Sequence, residues 1–339
     1  MRYLTKRMTY YENLSISNSS LSVFSYDPTY FHKVFVTKEI TEKKESDAML
    51  LGSIIHCLLL EPGEFDKRYF VSSITPEETP SGMMLDYVKT LATFETVDEI
   101  AHEAAYMKSG YKISREKVVE NFNKSASFKK YLEELKDPRQ LVSQFMHDSA
   151  KAHAQNVQDS PYWKKVLGDR EWEEFKELEI CWSTMVTTEG CDVMLPLKSK
   201  LDHLFVNVEN QGKTGKLQVK YFDYKTDSQK PVHKYQDSFE YWKTYRQFGF
   251  YWLAINEWAK QTFPGFDVEI HMYVVPIDVV RMKTVIYEVC KSYIAKGIGE
   301  IDKDLSDLAW HMCTDQWEFP RKIYEQDIPV LRLDGDECE

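Results

Sequence analysis

The sequence predicts an α/β (α+β) core behind a helical N-terminal part, and three observations carry that prediction. Amphipathic helical patterns fill most of residues 47–157. Three segments with β-branched and aromatic residues at alternate positions then follow closely between Leu178 and Tyr224. After them come a long aromatic helix, one more strand and a further helix, the order expected of a sheet buried against helices.

Taken in order, Ser17, Asn18, Ser19 and Ser20 offer N-caps for a short helix that Pro28 should end. Asp47–Glu61 is strongly helical, and Pro62-Gly63 stops it. Residues 80–136 carry charged helical patterns, among them Val97–Lys108 and Ser114–Asn123. A helix is expected after Pro138, through Leu141, Phe145 and Ala152 to about Val157. Leu178–Val186, Lys198–Val208 and Lys216–Tyr224 are the three strands, the last two joined by a turn at Asn210-Gln211-Gly212. Glu240–Gln261 is the aromatic helix, stopped near Pro264-Gly265. Val268–Val275 is the fourth strand, and Lys283–Ala295 the helix after it. The chain ends in an acidic tail, Asp334–Glu339.

Composition excludes several classes. With 339 residues, 43% hydrophobic, the chain can bury a sizeable core. A net charge of −11 argues against a uniformly basic nucleic-acid coat protein and against a polybasic membrane binder. The longest apolar run, Met49–Leu60, is broken by Gly52, Ser53 and His56, so no membrane helix is expected. The first fifteen residues have charges but no hydrophobic segment and do not read as a signal peptide. Six scattered cysteines without a Cys-x-x-Cys pair predict neither structural zinc nor a disulfide framework, and a cytoplasmic protein is the simplest expectation.

The residues that carry chemistry begin with Asp202 and Asp223-Tyr224-Lys225. Residues i and i+2 of a strand share a face, so Asp223 and Lys225 should stand side by side. Asp202, across a hairpin, could bring a second carboxylate to Asp223. Two such groups repel unless a cation lies between them, and hard oxygen ligands suit Mg²⁺ or Mn²⁺. An ordinary exposed strand pair is the plain alternative. His56 lies among Ile, Leu and Cys on the apolar helix, one turn after Gly52. It is either a satisfied core histidine or a neutral imidazole aimed at the metal. Gln247 and Tyr251, four apart, present polar tips on one face of the aromatic helix, whose Trp242, Tyr245, Trp252 and Trp258 suggest core packing. Glu179 either faces this cluster from the first strand or points to solvent.

Together these pieces resemble the PD-(D/E)xK nuclease superfamily in its RecB-like branch, which orders a G-x-x-x-H helix, an Asp, a (D/E)-x-K strand and a Q-x-x-x-Y helix. The matches are Gly52/His56, Asp202, Asp223/Lys225 and Gln247/Tyr251. Within the branch the chain is most similar to RecE-type exonucleases (exodeoxyribonuclease VIII), through Leu51–Pro62, the serine-rich Ser15–Phe24 and Glu179-Ile180-Cys181-Trp182. The resemblance covers residues 14–62 and 140–275. It implies a restriction-endonuclease-like core with a mixed central sheet flanked by helices. The expected parts are 1–62 with the G-x-x-x-H helix, a helical insertion 63–136, the nuclease core 137–299 and an acidic C-terminal region 300–339.

The resemblance further implies that His56, Asp202, Asp223 and the Tyr224 carbonyl bind Mg²⁺ or Mn²⁺. Lys225 would orient the attacking water, and Gln247 and Tyr251 would position phosphate or the catalytic groups. Asp223 stands where Glu is more frequent, which shortens the reach to a metal by one methylene. Cys290, Cys313 and Cys338 are too far apart for the iron–sulfur cluster of some relatives. The implied activity is a 5′–3′ exonuclease on linear duplex DNA in phage-type recombination, serving a single-strand annealing protein and in several relatives forming a ring. The rivals are a structure-specific or single-strand repair nuclease and a catalytically inactive interaction protein of the same fold. A serine or cysteine hydrolase or an NTPase lacks its motif, since neither G-x-S-x-G nor a Walker A loop occurs. Charge by segment favours DNA: residues 198–246 hold ten basic and six acidic residues, whereas 300–339 hold four and twelve.

Overall fold

A computed structural model describes residues 15–40, 46–188, 190–211 and 214–326. The chain divides into two units, one made of Met1–Glu45 with Ser160–Glu339, the other of Ser46–Asp159. The helix Asp47–Leu60, which carries Gly52 and His56, lies in the second unit.

The first unit is a mixed α/β structure with a central sheet flanked by helices. Strands β1 (Glu173–Thr188), β2 (Cys191–Gln211) and β3 (Thr214–Asp227) form an antiparallel run, and β4 (Phe266–Asp278) lies parallel to β3. Helices α1 (Asn18–Tyr26), α2 (Tyr235–Tyr241), α3 (Thr244–Thr262) and α4 (Lys291–Thr314) belong to the same unit. A parallel neighbour requires a crossover, and α2 and α3 supply it between β3 and β4.

Alternation along β3 sorts its side chains. Leu217, Val219 and Tyr221 enter the core with Phe248 and Ile255 of α3, while Phe222 and Tyr224 lie on the opposite face beside Trp163 of the short helix Tyr162–Leu167. Phe222 stacks on Tyr273 of β4 at 4.8 Å. Helices α3 and α4 meet at two glycines. A Cβ on Gly249 would come within 2.6 Å of the Gly297 backbone, and one on Gly297 would collide with the Tyr245 carbonyl oxygen.

Several boundaries differ from expectation. Pro28 does not simply end α1. Asp27 caps it, and Pro28 then opens a second short helix, Pro28–Phe31, as its first residue. The expected single helix Glu240–Gln261 breaks at Trp242-Lys243, where Lys243 adopts φ +49°. Residues 283–288 are not helical. Lys283–Thr284 and Tyr287–Glu288 pair antiparallel with β4, and α4 starts only at Lys291. The tail Asp334–Glu339, and Gly212 of the expected turn, lie outside the described residues.

The absence of a disulfide is also corrected: Cys191, at the start of β2, is bonded to Cys313 near the end of α4. The two are 122 residues apart, so no local spacing advertises the pair. Of the cysteines outside that bond, Cys57 is buried, whereas Cys181 and Cys290 are exposed.

The second unit is helical, with helices Asp47–Leu60, Gly82–Leu91, Glu99–Ser109, Arg115–Lys124, Ala126–Leu135 and Gln144–Gln158. Tyr87, Leu91, Ala105, Val118 and Phe122 are central to its core. Leu141, expected on a helix, lies instead in a short strand, Gln140–Val142, parallel to Tyr69–Val71. Buried Glu134 accepts hydrogen bonds from Ser72 and Ser73 after that first strand, which satisfies its carboxylate. Among the described residues no single helix is long and apolar enough to cross a membrane.

Candidate active site

The site forms where β3 leaves β2. Their pairing ends at His203↔Phe222, while β3 continues beside β4 as far as Asp227↔Asp278. One residue past the last pair stand Asp202 and Asp223. A ladder that stops leaves backbone groups unpaired, and here Asp202 supplies the missing acceptor: its Oδ2 takes the Tyr224 N–H at 2.9 Å.

Asp223 is completely buried. A buried carboxylate needs compensation, and it has two partners. Tyr221 donates its hydroxyl to Oδ1 at 3.1 Å, and the Lys225 ammonium lies 2.8 Å from Oδ2. The side-by-side placement of Asp223 and Lys225 expected of strand alternation is thus observed. Burial alone would lower the Lys225 pKa, but the negative charges of Asp223 and Asp202 outweigh it and hold the ammonium above its ordinary value. Burial, reinforced by the same two carboxylates, pushes the Tyr221 phenol well up, so it stays a proton donor.

Helix α3 packs its Gln247 and Tyr251 toward this strand. Gln247 Nε2 donates to the Tyr251 hydroxyl at 2.7 Å, and the Tyr251 ring meets the Tyr221 ring edge-on at 5.4 Å. A chain of contacts therefore runs from Gln247 through Tyr251 and Tyr221 to Asp223. The Tyr224 side chain points the other way, into the aromatic face, where its hydroxyl meets His203 Nδ1 at 2.8 Å. Burial raises that phenol well above its usual range, so it donates to Nδ1 and leaves Nε2–H for Glu174, 2.6 Å away.

Glu179 is not brought to Asp202. It is exposed, and its partner across the strands is Lys200. The register of β1 and β2 sets Glu177 opposite Asp202, with their carboxylate oxygens within 4.8 Å of one another. Glu177 is half-buried, has φ +52° and forms an ion pair with Lys200. Sequence reasoning missed it, although counting back from the hairpin that pairs Thr188 with Cys191 leads to it. His56 lies half-buried on the helix Asp47–Leu60 of the helical unit.

Glu177, Asp202 and Asp223 thus present carboxylates from three neighbouring strands, with Lys200 and Lys225 as counter-charges. Of these, Glu177 and Asp202 bring their carboxylate oxygens close enough together to hold a divalent cation of the hard type. Beside it opens a cavity of about 470 Å³, lined among others by Lys225, Asp227, Trp242, Lys243, Arg246 and Gln247. Arg246 is buried and anchored to Asp304.

No family model matches the chain, and no curated protein matches it. Among solved structures, a protein of Eubacterium rectale provisionally called an exonuclease aligns over 98% of this chain and 97% of its own, at 9% identity and a TM-score of 0.43. A second, SSO0001, aligns over 74% and 85% at 10% identity and a TM-score of 0.21.

Proposed function

We propose that the protein is a divalent-metal-dependent nuclease that hydrolyses phosphodiester bonds in DNA, an exonuclease of the RecE type. The observation that carries this reading is the grouping of Asp202, Asp223 and Lys225 where β3 parts from β2, beside a cavity bearing further cations. Asp202, Asp223, Glu177 and the Tyr224 carbonyl would hold Mg²⁺ or Mn²⁺, with His56 added on the sequence resemblance. When bound, the metal supplies charge stabilisation to the reacting phosphoryl group. Lys225, fixed by Asp223, orients the attacking water. Tyr221 keeps Asp223 in place, and Gln247 with Tyr251 braces the strand from α3. Lys225 and Lys243 bring positive charge to the substrate phosphates.

Duplex polarity from the 5′ end, a phage-type recombination role, a single-strand annealing partner and a ring assembly belong to the same proposal through the resemblance alone. The test is digestion of end-labelled linear duplex with Mg²⁺ or Mn²⁺. Release of label by the wild type, lost in Asp223→Ala and Lys225→Ala, supports the reading. Digestion that survives both substitutions overturns it, and cleavage of closed circles replaces the exonuclease with an endonuclease.

A further inference from the structure

We infer that Trp242, with Tyr241 behind it, is a stacking platform for a nucleobase of a single-stranded or frayed substrate end. This rests on the nuclease reading of the adjoining site. Aromatic residues around α3 would be expected in the core, and Tyr245 and Phe248 are there, but Tyr241 and Trp242 are 75% and 64% exposed. Their rings lie 4.8 Å apart and nearly perpendicular, at 86°. Tyr241 ends α2 and Trp242 follows it in the break before α3, which Lys243 makes by adopting φ +49°, a left-handed conformation that a residue with a side chain rarely takes. The turn is therefore a defined corner, and it holds two large rings out of the core.

Its position gives the exposure meaning. Trp242 lines the same cavity as Lys225 and Gln247, with Lys243 beside it. That cavity is lined by cationic and polar side chains together with the exposed indole of Trp242. Phosphate suits the first and a planar base the second, an alternation that a nucleic-acid strand provides. Bases inside an intact duplex already stack on one another, so a side chain meets a base face only at a frayed end or a single strand. Trp242 is accordingly a positioning residue for the terminal nucleotides, whose phosphate would enter beside Lys225.

Two measurements on the full chain test this. Steady-state cleavage compares wild type, Trp242→Ala, Trp242→Phe and Tyr241→Ala on duplexes whose terminal nucleotides are normal or abasic. Trp242→Ala should raise KM roughly ten-fold, as loss of one base-stacking contact does, and change kcat little. Trp242→Phe should recover most of the affinity. Abasic ends should penalise the wild type by a similar factor but leave Trp242→Ala without further loss. Equal KM values for wild type and Trp242→Ala, or an abasic penalty that persists in Trp242→Ala, overturn the platform. The second measurement is anisotropy binding of a labelled single strand in EDTA. Binding that depends on Trp242, without hydrolysis by the wild type in Mg²⁺ or Mn²⁺, keeps the platform and removes the nuclease reading. Hydrolysis and binding that both ignore Trp242 do the reverse.

Discussion

Oδ2 of Asp202 accepts the backbone N–H of Tyr224 at 2.9 Å, one residue beyond the last pair between β2 and β3. The same carboxylate that is proposed to hold a metal therefore also finishes the strand junction. Asn at this position can still accept from Tyr224, but it lacks the charge. Asp202→Asn and Asp202→Ala should both reduce DNA hydrolysis by at least about a hundred-fold, since losing a ligand forfeits several kcal/mol of charge stabilisation. They should differ in stability. Ala leaves the amide unsatisfied and should cost about 1–2 kcal/mol more than Asn in urea unfolding. Equal stability of the two variants would deny Asp202 its structural role.

The carboxylate set predicts where a metal stabilises the fold. A ligand bound by the native state alone raises stability by about 2.7 kcal/mol at a hundred times its Kd. Mg²⁺ or Mn²⁺ should therefore raise the Tm of the wild type. Asp223→Ala should abolish the shift and Glu177→Ala should reduce it, whereas Glu179→Ala, exposed and paired with Lys200, should leave it unchanged. A shift lost in Glu179→Ala and kept in Glu177→Ala would place Glu179, not Glu177, at the metal.

His203 gives the fold a pH dependence. It is buried, and burial lowers its pKa to about 4 against the opposing pull of Glu174. The unfolded chain takes up a proton near pH 6.5, the folded one only near 4, so the unfolded state binds more protons between those values. Stability should fall as pH drops through that window, by on the order of 3 kcal/mol in total. His203→Gln should flatten this component. Urea unfolding of both proteins between pH 4 and 7 isolates the His203–Glu174 pair, because carboxylates other than Glu174, which His203 itself helps hold down, contribute the same background to each. Parallel curves would mean that His203 is not the titrating group.

The four main strands and the D-x-K pair were legible because strand alternation is local: Tyr221, Asp223 and Lys225 follow from a period of two. The α3 pair Gln247 and Tyr251 followed in the same way from a period near four. What was not legible depended on distant partners. Glu177 and Glu179 look alike in sequence, and only the register of β1 on β2 separates them. Trp242 and Trp258 share a composition signal, yet the helix break at Lys243 turns one outward. Residues 283–288 have helical company on their C-terminal side, but the free edge of β4 recruits them as strands.

The disulfide follows that rule too, since Cys191 and Cys313 meet through tertiary structure alone. Closing a loop of 122 residues restricts the unfolded chain strongly, and such bonds typically add about 2–4 kcal/mol. Cys191→Ser should lower the Tm to the same value as the wild type under reducing conditions, and reductant should not lower the variant further. A variant that still responds to reductant would mean that this bond is not the one being reduced.

The tightest constraint on the site's support is the crossing of α3 and α4. Gly249 stands two residues from Gln247 and two from Tyr251, and a methyl group there would come within 2.6 Å of the Gly297 carbonyl carbon and the Ile298 nitrogen. Backbone cannot yield as a side-chain tip can, so α3 must shift or the helices must separate. Overpacking of this kind costs typically about 1–3 kcal/mol. Because α3 also carries the pair that braces Tyr221, Gly249→Ala should lower kcat as well as Tm, although the glycine touches no substrate. Gly299→Ala, on the same α4 helix but with open space around its Cβ, should do neither. A Gly249→Ala variant as stable and as active as Gly299→Ala would show that the α3–α4 spacing is not what holds Gln247 and Tyr251 against β3.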